Sequence, residues 1–407
     1  MIGNTYVMQN PAYSGIRYAI SEKGVFATGL LKRVKTELGK AGIKFEVDHR
    51  NKAPKLHSVD HKFNLGSIIP YTDQIIALTK TDIYHRGTFV MPTGTGKSLE
   101  IALIIAKLGL RTLVVVPNLD IKRQMQEVFC TLFGTMRYIT IENVDSPKLK
   151  TISNYDLLIK DEAHHAATKT CHTLNRKYWT GIYHRYFFTA TDFRNNSEEQ
   201  LLYEGIAGQT IFRLSYNRAV AEKYIVPIKA FYIEVPKQKT EAFTWLQVYK
   251  ELVVENQLRN QLIARCFSKH LSEGIYTLCL VKEIKHGNNL VELTQAPFVN
   301  GQDDQSRILS KQFSSGLIPG LIGTQGIIGE GTDTKPCQVV IIAGLGKAKS
   351  ALMQAIGRAF RTYLGKDYAC VILVKDNSHK FTRNHFKEQC KIIREEYGVE
   401  PIKLELP

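Results

Sequence analysis

Phe89–Ser98 reads FVMPTGTGKS, and the rest of the chain is organised around this stretch. Phe89 and Val90 have the apolar character of a strand end. Thr93, Gly94, Thr95 and Gly96 suit a tight loop with inward-facing backbone N–H groups, and Leu99–Leu108 has the apolar face of a helix. Strand, glycine loop and helix N-terminus in that order make a phosphate cradle. The amides and the helix end hold phosphate oxygens, Lys97 reaches the β- and γ-phosphates, and the Ser98 hydroxyl ligates Mg²⁺. Met91 stands where the simplest form of the pattern has its first glycine. An ordinary turn before a helix is the alternative, and GTGKS between two apolar segments argues against it. The expected ligands are ATP and Mg²⁺.

A second set of residues belongs to the same chemistry. Tyr155–Lys160 reads as a buried strand ending in Asp161-Glu162-Ala163-His164. Beside a phosphate loop, Asp161 can hold the Mg²⁺ of ATP through water, while Glu162 orients and deprotonates the attacking water. A chance acidic pair on a surface turn is the plain alternative. Thr112–Val116 is nearly all apolar, as expected of a parallel strand buried on both faces. Pro117, Asn118, Lys122 and Arg123 then lie beyond its end, where open α/β sheets bind ligands. Ahead of the loop, Tyr71 and Gln74 offer a ring to stack and a planar amide for both edges of adenine, although a lone glutamine is more often a surface residue. Tyr186–Phe188 leads into Thr189-Ala190-Thr191, two hydroxyls at a strand end that could link the nucleotide to a second ligand.

The 407 residues allow two or three domains, each with an ample core. Lys and Arg number 54 against 38 Asp and Glu, a net charge of +16, which favours a polyanionic partner such as a phosphate backbone. An anionic membrane surface is the rival, but the basic residues are spread through the chain rather than gathered on one amphipathic helix. Seven scattered cysteines without a C-x-x-C pair indicate neither a zinc site nor a disulfide framework. With no leader-like or membrane-length apolar run, the expectation is a soluble cytoplasmic protein, in the host cytoplasm if phage-encoded, with no membrane partner.

Residues 1–66 hold eleven Lys/Arg and five Asp/Glu, a net of +6. A strand at Ile16–Ile20, a helix over Phe26–Lys40 and a strand at Ile43–Val47 would make a small α+β domain, with Arg50–Lys62 as a linker. Such a domain could dock substrate or act as a packing cap with a solvated basic face. The first motor domain is expected over 67–227 and the second over 228–407. In the second, residues 241–272 carry a helical pattern, Tyr276–Val281, Leu321–Gly323 and Val339–Ala343 read as strands, and a helix carries Gln354, Arg358 and Arg361, with the two arginines on one face. A solvated basic helix is the alternative for that pair. Strands alternating with helices point to an α/β protein with parallel sheets.

MPTGTGKS, DEAH, TAT, GEGTD and QAIGRAFR follow one another in the order and rough spacing of superfamily 2 helicases and translocases, over about residues 67–407. Within that superfamily the chain resembles the phage UvsW-type helicases and RecG- and XPB-like motors, and GLLKRVKTELGKAGIKFEVDHR is similar to the pre-motor region of UvsW- and XPB-like proteins. The resemblance implies two tandem RecA-like domains with ATP between them. Lys97, Ser98, Asp161 and Glu162 would come from the first domain, and Arg358 and Arg361 would act as arginine fingers. Gln354, Gly331 and Asp333 would line the same cleft, and Thr189 and Thr191 would couple it to the nucleic acid. Pro117, Asn118, Arg194 and Thr324 would contact that nucleic acid, mostly through phosphates. The sequence departs from the family in lacking the usual arginine before Gln74 and in having Asp192 where a proline often follows TAT.

The implied activity is ATP-dependent remodelling of branched or duplex DNA in recombination, replication or repair, by a monomer. The alternatives are an RNA helicase and the motor of a restriction complex. A scaffold without activity would be expected to lose Lys97, Glu162 or the arginines, and all are present.

Overall fold

The computed structural model describes residues 25–47, 52–163, 168–190, 197–303, 305–325, 334–346 and 348–406. Contacts divide the chain into two units, Met1–Met91 with Gly96–Leu214, and Pro92–Thr95 with Ser215–Pro407.

The first unit carries a parallel sheet of β1 (Arg86–Val90), β2 (Thr112–Val116), β3 (Ile139–Asn143), β4 (Leu157–Lys160), β5 (His184–Thr189) and β6 (Thr210–Arg213). Their spatial order is β3-β2-β4-β5-β1-β6. β2 and β5 are buried along their whole length, because helices cover both faces of such a sheet. In the centre Phe89 and Phe188 are register partners with rings stacked at 4.9 Å. All pairings are parallel, so the residues that follow β1, β2, β4 and β5 gather along one edge.

Ahead of this sheet the structure departs from expectation in two places. Ile43–Val47 is irregular rather than a strand; it has no neighbouring strand to pair with among the described residues. Of the Arg50–Lys62 linker, the described part is a strap rather than a free connection. His57 N donates to Leu108 O at 2.8 Å and Val59 N to Gly109 O at 3.1 Å, and the His61 ring lies 2.9 Å from Leu110 O with the residue buried. The strap thereby pairs backbone groups at the end of the Lys97–Leu108 helix, which Gly109 closes in a left-handed conformation. The helix of Phe26–Lys40 forms over Leu31–Lys40 after a 3₁₀ turn at Thr28–Leu30. Ile16–Ile20 lies outside the described residues.

The second unit carries another parallel sheet: β7 (Ile228–Val235), β8 (Thr277–Val281), β9 (Phe298–Val299), β10 (Gly320–Thr324), β11 (Val339–Ile342), β12 (Ala369–Asp376) and β13 (Ile402–Lys403). The order is β13-β7-β12-β11-β8-β10-β9. The helical pattern of 241–272 is split into Trp245–Val248, a π-helical turn at Tyr249–Val254 and Gln257–Ser272. Asn256 makes the break, its Oδ1 accepting from Arg259 N at 3.0 Å as an N-cap. Two parallel α/β sheets in tandem are the RecA-like arrangement that the motif order implied.

Candidate nucleotide site and the arginine-bearing loop

The phosphate loop leaves β1 and enters the helix Lys97–Leu108, with Gly96 as its N-cap. Gly94 and Gly96 have φ of +89° and +81°, a region that side-chain-bearing residues rarely adopt. Those two angles turn the loop and leave the N-terminal amides of the helix as donors for an anion. The Lys97 ammonium lies 3.5 Å from Met91 O and 3.9 Å from Glu162 Oε1. Gln74 is buried; its Oε1 accepts from Tyr71 N at 2.8 Å and its Nε2 donates to Gly96 O at 3.1 Å. The expected adenine reader is therefore also a tether between the start of the Thr72–Ile83 helix and the loop, with Tyr71, partly exposed, as the N-cap.

β4 delivers Asp161 and Glu162 to the same edge. Asp161 N donates to Val115 O at 2.9 Å, and Asp161 Oδ1 accepts from Glu162 N at 2.9 Å. Burial, and then the Glu162 carboxylate, push the Asp161 carboxyl up to about 6, against the pull of the Lys97 ammonium. Glu162 has a φ of +45°, a left-handed conformation that costs a non-glycine residue free energy and recurs at functional sites. A buried acid beside a second acid and a lysine has the hard oxygen donors and the net negative charge that suit Mg²⁺, so Asp161 and the Ser98 hydroxyl fit that ion.

Thr189 ends β5 and is buried, its carbonyl accepting from Met91 N at 2.9 Å. Pro117 and Asn118 follow β2, and Asn118 Oδ1 caps the Leu119–Phe133 helix through Ile121 N at 2.9 Å. Thr191 and Arg194 lie outside the described residues, as does His164.

One residue here escaped the sequence reading. Glu100 sits one turn beyond Lys97, fully buried, and neither carboxyl oxygen has a hydrogen-bond partner among the described residues. Burial pushes it up to about 9, so it is held neutral. The only signal was an acid inside the otherwise apolar run LEIALII.

In the second unit Gln354 lies on the helix Lys349–Gly357, which stops earlier than expected. Arg358 caps it, with Arg358 N donating to Ala355 O at 3.2 Å and Arg358 O accepting from Thr334 Oγ1 at 2.8 Å. Arg361 forms an antiparallel bridge with Ile225. The two arginines thus leave a turn rather than one helical face, because Gly357 O is taken by Phe360 N and Phe360 O by Val226 N. Thr324 ends β10 and is buried; Gly331 and Asp333 lie outside the described residues.

The loop from β11 into that helix is held by side chains from three directions. Arg259 Nη2 donates to Ala343 O at 2.7 Å, and Tyr249 Oη to Gly344 O at 2.7 Å. Gln389 Nε2 lies within reach of Leu345 O at 3.2 Å and Gly346 O at 3.1 Å. A Cβ on Gly344 would fall 2.8 Å from His286 Nδ1 and 3.0 Å from Tyr249 Oη, so only glycine fits under these two rings. Arg259, Tyr249 and Gln389 carry no motif of their own, and sequence reading had no means to find them.

The Type III restriction enzyme res-subunit family (ResIII) matches residues 67–153, which span the phosphate loop and stop short of Asp161. The ATP-dependent DNA helicase uvsW of Enterobacteria phage T4 is 21% identical over 350 residues, 75% of this chain and 68% of that protein. The DNA 3'-5' translocase XPB2 of Sulfurisphaera tokodaii is 28% identical over 178 residues, 40% of each chain. Other curated relatives are longer, and this chain spans about half their length. Among solved structures, S. cerevisiae Dbp5 bound to RNA and ADP BeF3 superposes with a TM-score of 0.60 at 15% identity, covering 82% of this chain and 90% of that one. Residues 67–153 are thus similar to the ResIII family, the two sheets share the fold of the Dbp5 structure, and the relatives include helicases and translocases of the UvsW and XPB kind.

Proposed function

We propose that this chain is an ATP-driven DNA helicase or translocase of the DEAH type that remodels branched or duplex DNA, as in branch migration, recombination or repair. The observation that carries the reading is the convergence of Lys97, Asp161 and Glu162 at one sheet edge, with Lys97 and Glu162 3.9 Å apart beside a glycine loop of positive φ. That arrangement suits hydrolysis of a nucleoside triphosphate. Water oxygen bonds to the γ-phosphorus, the bond from that phosphorus to the β–γ bridging oxygen breaks, and Glu162 takes the proton of the water. Thr93, Gly94, Thr95 and Gly96 cradle the phosphates with Lys97, and Tyr71 and Gln74 take the base. Ser98 and Asp161 would hold Mg²⁺, which when bound neutralises charge on the β- and γ-phosphates. Gln354, Arg358 and Arg361 act on the transferring phosphoryl, Gly331 and Asp333 on the nucleotide, and Thr189 and Thr191 in coupling. Pro117, Asn118, Arg194 and Thr324 take DNA phosphates.

The domain limits that go with this reading are 1–66, 67–227 and 228–407, and the working form is a monomer. Among the described residues no helix is long and apolar enough to cross a membrane. DNA rather than RNA is supported by the uvsW and XPB2 relatives, a DNA helicase and a DNA translocase.

Steady-state ATPase rates with single-stranded DNA, duplex, four-way junction and RNA at one salt concentration test the proposal. Forked and four-way DNA should stimulate most. Lys97→Ala and Glu162→Gln should each lower the stimulated kcat at least about 100-fold with DNA affinity little changed. Full turnover in either variant removes the mechanism, and stimulation by RNA alone moves the substrate to RNA.

A further inference from the structure

The sheet of the first unit has a second edge, opposite the phosphate loop, and it too borders a cavity. A groove of about 1070 Å³ opens there between the Leu31–Lys40 helix and the segments that enter β1, β5 and β6. Arg86 begins β1, Tyr183 immediately precedes β5 and Gln209 immediately precedes β6. The five residues of β1 put this edge about 16 Å from the phosphate loop at roughly 3.3 Å per residue.

The groove has firm walls. Gly29, in the turn before the Leu31–Lys40 helix, lies so close to the helix Ser197–Ala207 that a Cβ would fall 1.9 Å from Glu204 O. Arg33 pairs with Glu204 at 2.5 Å, and Arg86 Nη1 reaches Thr28 Oγ1 at 3.3 Å and Ile206 O at 3.4 Å.

Its chemistry is one-sided. The lining includes Lys32, Lys35, Arg86 and His85 and, among the described residues, contains no Asp or Glu. Lys32 and Lys35 have no acidic partner among the described residues, and at i and i+3 they project from one side of their helix. The lining also has rings, with Tyr183 half-buried and 4.9 Å from His85 between centroids, and Phe26 half-buried near the helix start. The rim is apolar, Val25 and Ile83 being 64% and 66% exposed. Cations on one wall and rings among the remaining lining are what an unpaired strand uses, through backbone charge and stacked bases. A duplex offers such rings no free base faces.

We propose that this groove binds a single strand of nucleic acid, with phosphates toward Lys32 and Lys35 and bases against Tyr183 and Phe26. The assignment rests on the nucleic-acid reading above and adds a second contact region on the side of the sheet away from hydrolysis. A motor holding an unwound strand there keeps it apart from its complement.

The test uses the full chain without nucleotide and a fluorescent oligothymidylate, followed by anisotropy over a range of salt. Lys32→Ala/Lys35→Ala should weaken binding about tenfold at low salt and flatten the slope of log affinity against log salt by about 1.4, two contacts at about 0.7 each for a single strand. Tyr183→Leu, which keeps the site apolar, should weaken binding about fivefold or more with the slope unchanged. Photo-crosslinks from 5-iodouracil should map to Phe26 or Tyr183, and basal ATPase of both variants should equal that of the parent. Unchanged affinity and slope in both variants, or crosslinks confined to other segments, overturns the groove. Equal loss of blunt duplex binding overturns the single-strand assignment. If no nucleic acid stimulates the parent ATPase, the motor reading itself fails; if stimulation is normal while the variants bind as the parent does, only the groove assignment fails.

Discussion

β1 and β11 each end in a loop that leads to a helix bearing the candidate chemistry, yet the two loops are secured differently. After β1, glycines turn the chain, and side chains reach the carbonyls on either side of them. Gln74 holds Gly96 O, Lys97 lies near Met91 O, and Thr95 Oγ1 donates to Pro92 O at 2.8 Å. After β11, four successive carbonyls are each within reach of a side chain. A loop that must present its own N–H groups to a ligand can be tied only through its carbonyls and only sparingly. A loop whose task is to aim the helix behind it can be tied at every residue. The first is a receptor, the second a mount, and substitutions should separate affinity for ATP from the rate of turnover.

The largest effect is expected at what the mount carries. Arg358→Ala should lower nucleic-acid-stimulated kcat by about 10³ or more while ATP binding, followed with a fluorescent analogue, changes little. A drop in affinity matching the drop in rate would make Arg358 a binding residue instead.

A smaller pair of changes addresses the ties directly. Tyr249→Phe removes the bond to Gly344 O and should cost about 1 kcal/mol of stability in urea unfolding; its kcat should fall several-fold at constant KM. Gln74→Ala should instead raise KM for ATP about tenfold with a modest effect on kcat. If both variants moved the same constant, the distinction between receptor and mount would collapse.

A further effect lies in the pH dependence of stability, where no single pH step moves it by much. Burial pulls His286, beside the mount, down to about 3, and His184 in the first sheet down to about 4. Both are neutral when folded, so between pH 6.5 and those values the unfolded chain binds more protons. Stability is therefore fully present above pH 6.5 and falls on acidification, by at most about 1.4 kcal/mol per pH unit for each group. Glu100 works in the opposite sense. Its raised folded value means stability is present at acid pH and lost as pH rises from 4.5 towards about 9. Urea midpoints across pH should show an intermediate optimum, with Glu100→Gln removing the alkaline decline and His286→Gln easing the acid one.

What could be read from the sequence is what local pattern dictates. The apolar runs of β2, β4 and β5 and the spacing from Phe89 to Ser98 fixed both strand positions and the shared edge of Lys97, Asp161 and Glu162. Where a tertiary contact decides, local pattern gave the wrong answer. Ile43–Val47 alternates like a strand but has none to pair with among the described residues, and Lys52–Lys62 is polar yet bonded along a helix end. QAIGRAFR has helical spacing throughout, yet its second half is drawn into a turn by Val226 and Ile225. Arg259, Tyr249 and Gln389 come from places far apart in the chain, and only folding brings them to one loop.

The strap at His57–His61 bears on how the protein can be divided. A cut at residue 66 follows the motif boundary but strips two backbone bonds and a buried imidazole from the end of the phosphate-loop helix. The shortened motor would then lose activity through instability, and a docking function would be credited to residues that were in fact a brace. A cut before residue 52 spares the strap, and only a deletion made there can assign a role to the basic helix ahead of it.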